Sequence, residues 1–208
     1  MAGRSRKHRR TASPRRRVAA IILAAGGSRR LGRPKLLIPY QGVPMLQRAV
    51  AAAGGAGCAA VLVVLGADRE RYRPLLRGSP ARVVANPDHL EGMSSSIRAG
   101  ILALPSAAEA AIIMLADQPR IDAAILRRLI AAYETSGKRI AASRYGPVLG
   151  APVLFDRALF LELLLLEGDQ GARQVMETHP ADVAAVEIPP AAALDVDLPE
   201  DLRGLQGS

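Results

Sequence analysis

The chain has 208 residues, half of them hydrophobic, which is enough to bury a sizeable core in one domain and too apolar for wholesale disorder. A net charge of +9 suggests a binder of polyanions until it is located: eight of the 28 Lys and Arg, and no acid, fall in residues 1–17, so the rest is nearly neutral. The single cysteine, Cys58, excludes an intramolecular disulfide framework and fits a reducing cytoplasm, and with only three scattered histidines it argues against zinc.

Residues 1–17 read as a basic disordered arm that is solvated rather than bound to nucleic acid, and residues 18–208 as a single domain. The run RRR followed by VAAIILAA imitates an export signal, but cleavage there would remove the loop that the rest of the chain serves. No apolar run approaches the ~20 residues needed to span a bilayer, so a cytoplasmic protein without a membrane partner is expected. Strands are predicted at 18–23, 60–65, 81–85, 111–115, 140–143, 153–155 and 183–188, whose near-continuous apolar character suits burial on both faces. Helices are predicted over 44–53, 68–76, 95–104, 122–135, 157–166 and 172–178, with a last one from Pro199. Such alternation predicts an α/β fold with one doubly wound, mostly parallel sheet, whose ligands lie beyond the carboxyl ends of the strands.

The first strand runs into LAAGGSRRLGRPK, Leu23 to Lys35. Backbone amides freed at a strand-to-loop turn (Leu23, Ala24, Ala25, Gly26, Gly27 and Ser28), with Arg29, Arg30, Arg33 and Lys35 just beyond, suit a polyphosphate. Spacing excludes two other phosphate loops: Arg33 and Pro34 stand where a P-loop needs Lys then Ser or Thr, and there is no GxGxxG, which disfavours a nicotinamide-dependent oxidoreductase.

Asp117 ends the apolar run IIMLAD, where a carboxylate faces the ligand crevice; Asp122 is the better cap for the helix that follows. In LDVDLPED, an extended backbone would put Asp195 and Asp197 on one face. Mg²⁺ commonly takes one or two carboxylates, so Asp117 and Asp197 are the candidate pair, provided the fold brings them together, with Asp195 the alternative to Asp197. The segment NPDHLEGMSSSIRAG offers Asn86, Gly92, Ser95 and Ser96 to a base and ribose. Its structural alternative is an Asp88/Glu91 capping box followed by one capping serine. In GDQGAR, Asp169 either starts a helix or meets substrate, and Arg173 is a candidate anchor for an anion.

Together these motifs resemble nucleotidyltransferases built like the molybdopterin-guanine dinucleotide synthases, and most closely the molybdenum cofactor cytidylyltransferases. LAAGGSRRLGRPK looks like that group's LAAGxSxRxGxPK, where the second Ala accompanies CTP users and guanylyl enzymes more often show LAGG. The similarity continues through GMSSS, LADQP, GAPVLF, GDQGAR and DVDLPED, covering residues 18–203. It implies a Rossmann-like nucleotidyltransferase that moves CMP from CTP to the terminal phosphate of molybdenum-bound molybdopterin. Arg30 and Lys35 would hold phosphates, Asp117 and Asp197 Mg²⁺, and Gly150, Asp169 and Arg173 the second substrate; a recipient molybdoenzyme or its chaperone would be a further partner. This chain departs from the group at Leu198, which replaces the Thr of DIDTPED, and at Ala151, which stands where GHP is common. The alternatives are a transferase of the same fold using GTP or a sugar or alcohol phosphate, and a nucleic-acid-binding protein acting through the arm.

Overall fold

A computed structural model describes residues 17–27, 33–66, 68–196 and 201. Residues 1–16 of the arm, Ser28 and the Arg29 and Arg30 cations of the loop, Asp197 and nearly all of the helix expected from Pro199 lie outside the described residues.

In chain order the elements are β1 (Val18–Ala24), the two-residue strands β2 (Pro39–Tyr40) and β3 (Val43–Pro44), and α1 (Met45–Gly55). Then come β4 (Ala60–Leu65), α2 (Arg69–Tyr72), β5 (Arg82–Ala85), α3 (Met93–Leu102), β6 (Ala110–Leu115) and α4 (Ala123–Ser136). The chain continues with β7 (Ile140–Tyr145), β8 (Val148–Asp156), α5 (Phe160–Leu164), α6 (Arg173–Thr178) and β9 (Val183–Glu187). The seven-stranded sheet has the order β5-β4-β1-β6-β8-β7-β9. Only β8 runs antiparallel to its neighbours, β6 and β7. Two residues, Gly146 and Pro147, join β7 to β8, and so short a connection can only reverse the chain. Both strands extend past the predicted 140–143 and 153–155, because Ser143 to Tyr145 pair with Val148 to Gly150 through backbone bonds in a stretch without an apolar run. The small β2–β3 hairpin has no hydrophobic signature and was not predicted.

β1 sits mid-sheet, with Ile21 level with Leu62 on one side and Ile113 on the other. Its alternate side chains enter two cores: Ala20, Ile22 and Ala24 meet residues of α1 and α4, such as Leu46, Val50, Leu126 and Leu129, while Ile21 and Leu23 meet Ile97 and Ile101 of α3 and Leu163 of α5. This two-sided burial is the reason for the unbroken apolar runs. Gly100 lets α3 lie against β1, since a Cβ there would stand 2.4 Å from Ile21 Cγ2. Asp122 caps α4 as predicted, its Oδ1 accepting from Ile125 N at 2.9 Å. Among the described residues no helix is long and apolar enough to cross a membrane.

Candidate active site

Because β1, β4, β5 and β6 are parallel, their carboxyl ends share one edge, and a cavity of about 490 Å³ opens there. Its floor is the β1 exit, Leu23 to Gly26. Ala116 N donates to Leu23 O at 3.1 Å, so the chain leaving β6 is held to β1 and Asp117 emerges beside that turn. Opposite, Lys35 opens a single 3₁₀ turn anchored by buried Leu36.

Lys35 Nζ donates to Asp117 Oδ2, and the two side chains are only 13% and 17% exposed. The expectation had Lys35 and Asp117 serving a phosphate and a metal separately; the fold pairs them with each other across the cavity. The pair is largely withdrawn from water, which strengthens its attraction and makes loss of either partner costly.

The carboxy-terminal segment is tied to the same place. Val196 N donates to Asp117 O at 3.2 Å, Val196 is fully buried with Tyr40 and Met45, and Gln118 Nε2 donates to Asp195 Oδ1 at 2.9 Å. Asp195 therefore joins Asp117 in lining the cavity. Leu194 to Val196 belongs to no strand of the sheet; the Leu194 backbone is extended, and Val196 bonds to the Asp117 loop. Burial holds the Tyr145 phenol up at about 12, opposed by a Ser143 hydrogen bond and reinforced by the nearby Asp195 charge.

The Asn86 segment brings two of its four candidate base and ribose residues, Gly92 and Ser96, to the cavity. Asn86 Nδ2 donates to Ser95 Oγ at 2.9 Å and Ser96 Oγ at 3.0 Å, while its Oδ1 accepts from Asp88 N at 3.0 Å. Asn86 and Ser95 are thus engaged in bracing the loop and lie outside the cavity lining, whereas Ser96 and Gly92 are part of it. There is no capping box: Asp88 makes no side-chain cap bond, and Glu91 pairs with Arg98 at 2.9 Å. Gly92 is the N-cap of α3; its φ of +105° favours glycine, and an added Cβ would stand 2.4 Å from the Gly168 carbonyl. Ser94 N donates to Gly168 O at 3.2 Å, and this seat delivers Asp169 to the cavity. Asp169 does not begin a helix, because α6 starts at Arg173 after Ala172.

Arg173 is not in this cavity. It lines a second one of about 440 Å³ with Arg144, Leu149 and Met176, and its Nε donates to Glu177 Oε1 at 3.0 Å. Gly150 lies in β8 against the Tyr145 ring, and neither it nor Gly27 lines the first cavity. His89, Leu36, Met93 and Leu115 do line it, although the sequence did not single them out. The apolar three look like core residues in the sequence, and His89 sits in a segment read through its asparagine and serines.

No group of three or more His, Cys, Asp and Glu is arranged to hold a metal among the described residues. Asp117, Asp169 and Asp195 line the same cavity without forming such a group, and Asp117 is paired with Lys35.

A family model described as MobA-like NTP transferase domain matches residues 20–183. The chain belongs to this family. It is a nucleotidyltransferase. Nicotine blue oxidoreductase of Paenarthrobacter nicotinovorans is 31% identical over 172 residues, 78% of this chain and 83% of that protein. CMP-5'-(3-aminopropyl)phosphonate synthase of Streptomyces rubellomurinus is 35% identical over 149 residues, 67% of this chain but only 23% of that longer protein. Among solved structures, Rv0371c of Mycobacterium tuberculosis H37Rv superposes with a TM-score of 0.80 at 30% identity, covering 94% of this chain and 100% of that one. A complex of Rv0371c with manganese matches at a TM-score of 0.74 and 29% identity, over 94% and 100% of the two chains.

Proposed function

We propose that this chain transfers CMP from CTP to the terminal phosphate of molybdenum-bound molybdopterin, with Mg²⁺ as the cation. The observation that carries the reading is the Lys35–Asp117 pair beside the Leu23–Gly26 turn: one cation suited to a phosphate and one carboxylate suited to a metal, held together in the crevice. A metal–nucleotide complex would separate them, each charge exchanging its partner for one on the ligand. The turn amides and Lys35, with Arg30 outside the described residues, would hold the triphosphate. The acceptor phosphate is already an anionic nucleophile, so the protein's task is alignment and charge neutralisation. Its oxygen forms a bond to the α-phosphorus, the bond to the β-phosphate oxygen breaks, and pyrophosphate leaves with that electron pair. Asp117, with Asp195 or Asp197, would hold the Mg²⁺, which supplies charge neutralisation on the phosphates when bound.

The choice of CTP is supported by Ala25, buried in the turn where guanylyl enzymes more often carry glycine, and by a relative named for a CMP product. The acceptor is supported by GMSSS, DQP and GDQGAR occurring together. A recipient molybdoenzyme or its chaperone would take the product. The deciding experiment incubates the protein with Mg²⁺, each of the four NTPs and molybdenum-loaded molybdopterin, and measures pyrophosphate. Release with CTP that depends on acceptor is expected; release with GTP, or only with a sugar or alcohol phosphate, would replace this reading by its same-fold rival.

A further inference from the structure

We propose that Arg98, which lies outside the cavity lining, is a positioning residue for nucleotide binding: its guanidinium fixes two loops of the cavity wall against each other. The inference is independent of which nucleotide and acceptor are used and rests only on the chain being a nucleotidyltransferase whose ligand occupies the first cavity.

Two stretches far apart in the chain build that wall. The loop after β5, residues 86–92, contributes His89 and Gly92, and the turn after α5, residues 166–171, contributes Asp169. The first contains a single 3₁₀ turn, His89–Glu91. The second closes on itself, with Glu167 N donating to Gln170 Oε1 at 3.0 Å and Gln170 N to Glu167 O at 3.1 Å. Bonds inside a turn fix its shape and leave its place in the domain to contacts made elsewhere.

Arg98, in the second turn of α3, reaches both stretches. Its Nη1 donates to Leu166 O at 2.7 Å and to Ser94 Oγ at 3.3 Å, and its Nη2 donates to Glu91 Oε2 at 2.9 Å. Among the described residues, the other hydrogen bond between α3 and the 166–171 turn runs from Ser94 N to Gly168 O. The turn lies close enough to α3 that a Cβ added at Gly171 would stand 3.1 Å from Met93 Sδ. Leu166 is buried, so its carbonyl depends on a protein donor, which Arg98 supplies.

A guanidinium is planar, with its donors at fixed angles, so one nitrogen on Leu166 O and the other on Glu91 set the spacing of the two stretches. A lysine ammonium has no such fork. The ion pair itself adds little to folding, because the Glu91 side chain is 59% exposed. Its consequence is geometric. Without Arg98, the turn carrying Asp169 keeps one backbone bond to α3 and can shift relative to His89 and Gly92. A nucleotide would then have to order the wall as it binds, which lowers affinity without unfolding the domain.

Calorimetry of the full chain with CTP, UTP, GTP and ATP in Mg²⁺ gives the dissociation constant and, separately, the fraction of molecules competent to bind. Arg98→Ala should weaken binding of the parent's preferred nucleotide about tenfold at an unchanged competent fraction. Amide hydrogen exchange should rise in residues 167–171 and stay at the parent's level in β1 and β6. Arg98→Lys keeps the charge without the fork and should remain at least about threefold weaker than the parent. A merely structural role would instead lower the competent fraction and the melting temperature and leave the dissociation constant of the remaining molecules unchanged. That result overturns the proposal, as does full recovery in Arg98→Lys, which would make charge alone responsible. Should Arg98→Ala fail to fold, Glu91→Ala cuts the exposed branch alone: binding about threefold weaker is expected, and an unchanged dissociation constant overturns the proposal. A parent that prefers a purine nucleotide would refute the cytidylyl reading and leave Arg98 its role, whereas a parent that binds none of the four would overturn both.

Discussion

Two cavities of similar size differ in what has been done with their charged groups. The first, at the carboxyl ends of β1 and β6, sets Lys35 against Asp117 with both side chains mostly buried. The second, beside β7, β9 and α6, carries two arginines, but Arg144 meets Glu187 at 3.4 Å and Arg173 meets Glu177 at 3.0 Å with three of the four side chains more than half exposed. Water screens those surface pairs, and each contributes at most about 1 kcal/mol. In the first cavity desolvation makes each charge respond strongly to a ligand of opposite sign. A count of Lys and Arg in the lining favours the second place; burial at the strand ends singles out the first.

The largest test of that contrast removes Lys35. Lys35→Ala should lower turnover about 10²–10³-fold, measured as pyrophosphate release. It should also cost about 1–3 kcal/mol of stability, read as a lower melting temperature, because Asp117 is left without its partner. Adding Asp117→Asn to that variant should return the stability and leave the activity lost. Recovery of both would reduce the pair to a structural bridge.

The metal end can be sharpened by two double-mutant cycles. Asn substitutions at Asp117 and Asp195, and separately at Asp117 and Asp197, distinguish the second carboxylate. Coupling of about 0.5–3 kcal/mol in turnover and in Mg²⁺ dependence is expected for the pair that shares the ion and near-additivity for the other. Additivity in both cycles would reject a shared metal.

A smaller effect is expected where the two halves of the cavity wall meet. Gly92→Ala places a Cβ 2.4 Å from the Gly168 carbonyl at a φ of +105°, and should destabilise the protein by about 1–3 kcal/mol in a denaturant titration. It should also loosen the seat of Asp169, so the KM for nucleotide should rise. The smallest effect belongs to the second cavity: Arg173→Ala should change stability by no more than about 0.5 kcal/mol and leave turnover nearly unaltered. A loss comparable with that of Lys35→Ala would restore Arg173 as an acceptor anchor and erase the contrast between the cavities.

Much of the architecture was legible because burial leaves a local record. The apolar run of β1 with its glycine turn, the strand from Ala60 to Leu65, and Asp122 as the cap of α4 each follow from neighbours in the chain. The β7–β8 extension was not, since Ser143 to Tyr145 pair with Val148 to Gly150 through backbone groups that every non-proline residue possesses. Asn86 illustrates the same limit within the site: its composition suits either base recognition or bracing, and only the positions of Ser95 and Ser96 show that its amide is engaged by the helix.

The sequence by itself determined the class of fold, the phosphate-suited turn after Leu23 and the emergence of Asp117 at a strand end, because hydrophobic period, glycine turns and strand termini are short-range properties. Tertiary structure decided which distant groups share a cavity: Lys35 with Asp117, Asp195 through Gln118, Asp169 across Gly92, and His89 against Gly66. It also set Arg173 apart from them. Contacts between residues some eighty positions apart depend on strand order and on the direction in which each loop leaves the sheet, and neither is encoded in the spacing of the residues that meet.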